Sequence, residues 1–306
     1  MIGQKIGFIG GGNMARSLVG GLVHNGFPAG FLRVADINAE TLATLQADFG
    51  VTTTQDNQEV IQHSDVVVFA VKPQVMKQVL EPLSALINRT QPLIMSIAAG
   101  VREQDISTWV GGKVAVVRGM PNTPALVGAG VTGLYANTHV SPDQRQVAGA
   151  IMDAVSITFW VDDEAKMDAV TAASGSGPAY FFLVMEAMEA AAVELGLKPE
   201  QARKMAIETA YGAAKMARES ESSPAVLRAN VTSEGGTTAA ALDVFERHHL
   251  KGLFREAMQA AHHRSEELGE LIGQPQSTCL IKYFRESVNG SQSRNECVEL
   301  FAQYSD

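Results

Sequence analysis

Lys5-Ile6-Gly7-Phe8-Ile9-Gly10-Gly11-Gly12-Asn13-Met14-Ala15 is the stretch whose reading decides the fold. Ile6, Phe8 and Ile9 form a short apolar run suited to a buried strand. A glycine turn follows and gives way at once to a helical pattern, with Met14, Leu18 and Leu22 spaced by four. Strand, Gly-x-Gly-x-x-Ala and helix, in that order, are what a dinucleotide fingerprint requires. Gly10 permits the tight turn, Gly12 lets the backbone approach a pyrophosphate, and Ala15 lets the helix sit close on its strand. The helix start, through Asn13 and Met14, offers free N–H groups and the positive end of a dipole to phosphate. The competing reading is a glycine-rich turn without a ligand. The strand before it and the helix after it favour the nucleotide.

The chain outward from this stretch has 306 residues, which favours two domains. It has 24 basic and 33 acidic side chains for a net charge of −9, so it carries no electrostatic footprint for nucleic acid or an anionic membrane. No apolar run reaches the ~20 residues of a membrane helix without interruption. The N-terminus enters a strand directly, so no signal peptide is expected. Cys279 and Cys297 are the two cysteines, leaving residues 1–274 with none and no disulfide framework. A cytoplasmic soluble protein is expected.

The first half alternates strand and helix. Asn25-Gly26 ends the first helix. Phe31 to Ala35 reads as a second strand with Asp36 at its end, about 20 residues past the fingerprint, where an acid bonds a ribose 2′-OH. That position leans toward NAD; the alternative is Asp36 as N-cap of a helix over 39–49. Val51 to Thr54 is a β-rich run and Asn57 opens a helix to His63. Asp65 to Val71 is a continuous apolar run fit for a central parallel strand. It ends at Lys72-Pro73, where proline keeps Lys72 extended at the carboxyl end of the strand. Pro92 to Ala98 is another strand, closing in Ala98-Ala99-Gly100, whose small side chains leave room for a flat ring. Val114 to Arg118 is followed by Pro121-Asn122-Thr123-Pro124, two prolines pinning a loop in which Asn122 offers a fixed amide. Val131 to Tyr135 and Thr158 to Val161 are later strands. The pattern predicts a doubly wound α/β domain over 1–162.

From Asp163 the pattern is helical, over 163–274. Residues 173–180 interrupt it, with Gly177 as a cap and Pro178 at the first helical position. The helix from Pro178 to Leu195 is apolar nearly all round and demands burial all round, which predicts subunit contact. Asn230 to Thr238 packs Ser, Gly and Thr just ahead of a helix starting near Ala239. Free N–H groups and hydroxyls there make a neutral nest for a carboxylate. The alternative is an elaborate helix cap. The pairs His248-His249 and His262-His263 cannot converge on one ion, because neighbouring helix positions point ~100° apart, so no metal is expected. Residues 275–306 show no sustained period and read as an extension, flexible or non-native.

These segments resemble the pyrroline-5-carboxylate reductase family over roughly residues 3–273. The resemblance rests on residues 7–15, Val71-Lys72-Pro73, residues 96–100, 120–125 and 174–180, and Thr232-Ser233-Glu234-Gly235-Gly236-Thr237-Thr238, in that order. It implies a Rossmann-type domain followed by an all-α dimerisation domain, interlocked in a homodimer, with larger rings of dimers common. It implies reduction of 1-pyrroline-5-carboxylate, a cyclic imine, to L-proline by hydride from NADPH or NADH. By position, Gly10, Gly12 and Ala15 hold the pyrophosphate, Asn57 lies near the adenosine ribose, Val71, Lys72 and Pro73 line the cofactor, and Ala98 borders the nicotinamide. Ser233, Gly236 and Thr237 take the substrate carboxylate, and Thr238 bonds the ring nitrogen as the catalytic group. Asn122 joins the cofactor-binding set. Family preference for NADPH and the local reading of Asp36 point opposite ways, so both cofactors stand. Glu234 replaces the family's usual proline and is expected to face solvent. The alternatives are a β-hydroxyacid dehydrogenase, disfavoured because 175–186 lacks a lysine, and a nicotinamide-binding protein without turnover.

Overall fold

Strands buried on both faces read as unbroken apolar runs, and four short runs of this kind form the centre of the sheet. A computed structural model describes residues 3–273; the extension at 275–306, with Cys279 and Cys297, lies outside the described residues. The α/β half comprises β1 (Ile6–Ile9), α1 (Asn13–His24), β2 (Leu32–Ala35), α2 (Ala39–Phe49), β3 (Thr52–Thr54), α3 (Asn57–Gln62), β4 (Val66–Phe69), α4 (Met76–Leu80), α5 (Ser84–Thr90), β5 (Leu93–Ser96), α6 (Glu103–Val110), β6 (Val116–Met120), β7 (Gly130–Ala136), α7 (Pro142–Met152) and β8 (Ser156–Trp160). The helical half comprises α8 (Lys166–Val170), α9 (Gly177–Glu194), α10 (Pro199–Glu219), α11 (Pro224–Asn230), α12 (Thr237–Arg247) and α13 (Leu250–Gly273).

The strands lie in the order β3-β2-β1-β4-β5-β6-β7-β8. The first six are parallel, with register Phe8↔Val68, Val68↔Met95 and Met95↔Val117. Alternate residues feed two cores. Phe8, Val66, Val68 and Met95 pack with α1 and α7 on one face, while Ile9, Val67, Phe69 and Ile94 pack with α3 to α6 on the other. This is the doubly wound architecture, and the sequence reverses direction of winding between β1 and β4, which opens the ligand crevice at their carboxyl ends.

β7 runs antiparallel to β6, and β8 follows β7. Leu134 pairs with both Gly119 and Trp160, so β8 ends level with the carboxyl end of β6. The chain therefore enters the helical half beside the ligand-binding edge of the sheet. Val170 packs over Gly133 and Met120 over Gly175, contacts that any larger side chain at either glycine would block.

Element boundaries depart from sequence expectation at their ends. Phe31 belongs to a 3-10 turn, Ala29–Phe31, ahead of β2. The apolar runs at 65–71 and 92–98 are trimmed at both ends, to Val66–Phe69 and Leu93–Ser96, although the amides of Ala70 and Ile97 still donate to the carbonyls of Ile9 and Phe69 on the neighbouring strands. α12 begins at Thr237 rather than near Ala239, with Gly236 at its N-cap. The expected interruption at 173–180 is a π-turn, Thr171–Gly175, continuous with α8; Ser176, not Gly177, is the N-cap of α9.

The helical half is open to solvent in one chain. Phe181 is 66%, Phe182 63% and Leu183 64% exposed, so α9 is not enclosed by its own protomer. Buried positions on α10 are Ala202 and Ala206 only, and α11 and α12 have none. α13 returns to the α/β half. Ser265 is buried and its hydroxyl donates to Asp168 Oδ1 at 2.6 Å, Arg102 Nη2 donates to the Glu266 carbonyl at 3.3 Å, and Ile272 packs on the core beneath α6.

Candidate functional site

The turn after β1 is built by exclusion. Gly10 has φ +100°, and a Cβ there would lie 2.6 Å from the Ala70 carbonyl oxygen, so only glycine fits. Ala15 is fully buried against the sheet. Gly12 is the N-cap of α1 and no side chain caps the helix. A Cβ on Gly12 would meet nothing within 4 Å. The first protein bond of the helix is Arg16 N–H to the Gly12 carbonyl, 2.9 Å, which leaves the amides of Asn13, Met14 and Ala15 free. Open space above Gly12 and an uncapped helix start form a cradle of the shape and polarity a pyrophosphate needs. The residues present fit a dinucleotide.

Asp36 stands at the carboxyl end of β2. It does not cap α2: Asn38 does, accepting from the amides of Glu40 and Thr41 at 2.9 and 3.2 Å. Asp36 instead accepts from Gly11 N–H at 2.6 Å through one oxygen and from Asn38 N–H at 2.8 Å through the other. It braces the glycine turn from the side. The fingerprint pattern assigns no role to Gly11, the middle glycine of the run, whose amide makes this bond. Arg33 is drawn away to Glu59 on α3, at 3.4 Å.

Asn57 is half-buried at the first position of α3, which Asp56 caps. Lys72 follows β4 with an exposed side chain and extended backbone, ψ 142°, as the following proline requires. Val71 and Pro73 flank it, half-buried, and a methyl of Val71 comes within 3.1 Å of where a Cβ on Gly10 would stand. Ala98, 6% exposed, lies just past β5 and next to that strand's neighbour. Gly10, Val71 and Ala98 thus follow adjacent strands β1, β4 and β5 along one edge.

Asn122 has a different job from the fixed free amide expected of it. Its Oδ1 accepts from Val131 N–H at 2.9 Å, and its Nδ2 donates to the hydroxyl and carbonyl of Ser174 at 3.2 and 3.3 Å. It is buried and its amide is spent. A π-turn frees carbonyls that an α-helix would satisfy; Asn122 takes Ser174's, and the Tyr180 hydroxyl donates to Ala172's at 3.0 Å. Asn122 therefore fixes the helical half against the sheet edge.

The second cradle is the turn between α11 and α12. Thr232 closes α11, its hydroxyl donating to the Arg228 carbonyl at 2.7 Å. Gly235 has φ +68° and Gly236 N–H donates to the Ser233 carbonyl at 3.1 Å. A Cβ on Gly236 would lie 2.5 Å from Ser233 Oγ. Glycine is thus needed for the Ser233 hydroxyl to fold over the helix start. No side chain caps α12, which overturns the elaborate-cap alternative. The hydroxyls of Ser233, Thr237 and Thr238 make no hydrogen bond among the described residues, and Glu234 is exposed. Uncapped amides and three free hydroxyls around one glycine suit a carboxylate.

Among the described residues, no group of His, Cys, Asp and Glu is arranged to hold a metal ion, and no helix is long and apolar enough to cross a membrane.

A family model described as pyrroline-5-carboxylate reductase dimerisation matches residues 164–268, and one described as NADP oxidoreductase, coenzyme F420-dependent, matches residues 5–100. The pyrroline-5-carboxylate reductase of Pseudomonas aeruginosa is 49% identical over 270 residues, spanning 88% of this chain and 98% of its own. That of Haemophilus influenzae is 45% identical over 270 residues, spanning 88% and 99%. Among solved structures, a pyrroline-5-carboxylate reductase from Coxiella burnetii aligns with a TM-score of 0.84 at 46% identity, over 87% of this chain and 98% of that one. The pyrroline carboxylate reductase of Plasmodium falciparum, solved with NADP bound, aligns with a TM-score of 0.77 at 29% identity, over 88% and 99%.

Proposed function

The chain belongs to the pyrroline-5-carboxylate reductase family and reduces 1-pyrroline-5-carboxylate to L-proline with NADPH or NADH; from that premise we propose which of its residues do the work. Family membership answers the two alternatives, a β-hydroxyacid dehydrogenase and a binding protein without turnover.

A nicotinamide cofactor held by the chain would supply the hydride for the imine carbon. The protein's part is alignment and charge. Gly12, Asn13, Met14 and Ala15 receive the pyrophosphate on backbone amides. Asp36 and Asn57 receive the adenosine ribose, Val71, Lys72 and Pro73 line the cofactor, and Ala98 leaves room for the nicotinamide ring. Ser233, Gly236 and Thr237 hold the substrate carboxylate, and Thr238 bonds the ring nitrogen. The observation that carries this assignment is the uncapped start of α12, where Ser233, Thr237 and Thr238 keep unspent hydroxyls. The nitrogen must carry a proton as the carbon accepts hydride. The substrate loop holds no acid but the exposed Glu234, so either the protonated iminium binds or Thr238 relays a proton from water.

The test is steady-state kinetics of Thr238→Ala, with loss of at least about tenfold in kcat/KM and recovery in Thr238→Ser. A smaller loss removes Thr238 from the role.

We further propose domains at 1–162 and 163–274 with an extension at 275–306, and a homodimer whose helical domains interlock, assembled further into a ring. Support for the dimer comes from the unenclosed apolar faces of α9. The absence of cysteine from residues 1–274 supports a reducing, cytoplasmic setting.

A further inference from the structure

We propose that this reductase selects NADH over NADPH at the corner of the crevice that receives the adenosine ribose. The inference rests on reading the Gly10–Ala15 cradle as a dinucleotide site.

The corner is made by the carboxyl ends of β2 and β3 and the starts of α2 and α3. Its central group is Asp36. Both carboxylate oxygens are held by backbone amides, those of Gly11 and Asn38, so the charge cannot swing aside to admit another anion. Each oxygen retains a lone pair, which suits the hydroxyls of an unmodified ribose. A 2′-phosphate brings up to two more negative charges to the same place.

The elements that build the corner bring no free cation to offset them. From Asp36 to Val71 the chain has no lysine or arginine, yet contains Asp36, Glu40, Asp48, Asp56, Glu59 and Asp65. The two arginines that reach this segment from outside are already paired: Arg33 with Glu59 at 3.4 Å, and Arg16 with Asp48. The other way to hold a phosphate is a free helix start. That of α2 is closed by Asn38, whose side chain takes the amides of Glu40 and Thr41, and Glu40 adds a like charge in the first turn. That of α3 is closed by Asp56, which accepts from Gln58 N–H at 2.8 Å. Ile37, directly after Asp36, is 92% exposed with its carbonyl held by Gln55 at 2.9 Å. An isolated apolar side chain at this corner offers a surface for a base ring and no bond to a phosphate.

The proposal is tested by direct binding, without turnover. Purified full-length protein is titrated with NADH and with NADPH, following nucleotide fluorescence, at low and at moderate salt. NADH is expected to bind at least about tenfold more tightly at low salt, from one fixed like charge close by, and the gap should narrow as salt screens it. Asp36→Ser should weaken NADH and strengthen NADPH, and Ile37→Arg should strengthen NADPH without removing Asp36; together they guard against one variant failing to fold. Equal or tighter binding of NADPH by the unaltered protein overturns the proposal and leaves the cradle intact. Binding of neither nucleotide overturns the cradle reading and the proposal with it.

Discussion

Two glycines of one turn have opposite reasons to be glycine. Gly10 is required by the fold: a side chain there meets the Ala70 carbonyl in a left-handed backbone. Gly12 is not required by the fold, since φ is −65° and a side chain meets only open space; the proposed pyrophosphate contact is what would demand it. Gly10→Ala should therefore lower unfolding free energy by about 2–4 kcal/mol, read from urea denaturation. Gly12→Ala should leave it unchanged and weaken NADH or NADPH binding by more than about tenfold. The reverse pattern would exchange their roles. A second residue ties stability to pH. Asp105, half-buried at the start of α6, has its carboxyl pushed above the usual 3.8 by burial, against the opposing pull of a bond from Arg102 N–H and the charges of Arg102 and Arg118, with Glu164 adding to the rise. The folded state then binds the proton more tightly than the unfolded chain. Ionised Asp105 costs stability at neutral pH, and the cost disappears as pH falls through its folded pKa. Asp105→Asn removes this dependence. The stability of the unaltered protein relative to that variant should rise between pH 7 and pH about 4, since the other carboxylates cancel in the comparison; a constant difference would exclude it.

Helix α9 shows at the element scale what one chain lacks. Its apolar residues surround the helix, and the prediction that it must be buried on every side is unmet within the protomer, where Phe181, Phe182 and Leu183 face outward. A face of this kind in a domain matched by a dimerisation family belongs to a partner copy. Leu183→Glu should convert the assembly to monomers in light scattering after gel filtration, with loss of activity. A dimer that survives the charge would move the interface elsewhere. Legibility divides along the same lines. β1, β4 and β5 could be read because burial on both faces leaves only apolar residues, and the glycine pattern after β1 has few other uses. The π-turn could not, because its conformation depends on Asn122 and Tyr180 catching carbonyls that local composition does not reveal. Asp36 was ambiguous between cap and ribose contact because its partner, Gly11, is 25 residues away. Asn122 looked available in sequence because Val131 and Ser174, which use it up, come together only in the fold.

Across the whole molecule, the connection from sheet to helices is held from both sides. Arg118, nearly buried in β6, pairs with Glu164 at 2.6 Å, and the same carboxylate oxygen accepts from Glu103 N–H at 2.6 Å. Glu103 in turn accepts from Asn137 Nδ2 and the Ser107 hydroxyl, at 2.8 and 2.6 Å. The first residues of the helical half are thus anchored to β6, β7 and α6 together. Its last helix is anchored to the same region: Gly269 lies so close to Gly100 and Arg102 that a Cβ would stand 3.2 and 3.0 Å from their atoms, and Ile272 fills a place in the α/β core. A polypeptide whose final described helix completes the core of its opening half does not come apart when cut between them. Brief protease treatment that nicks the exposed Asp162-Asp163 corner should yield two pieces that co-elute as one particle and separate only in denaturant. Two independently eluting pieces would show that the returning helix contributes little to cohesion.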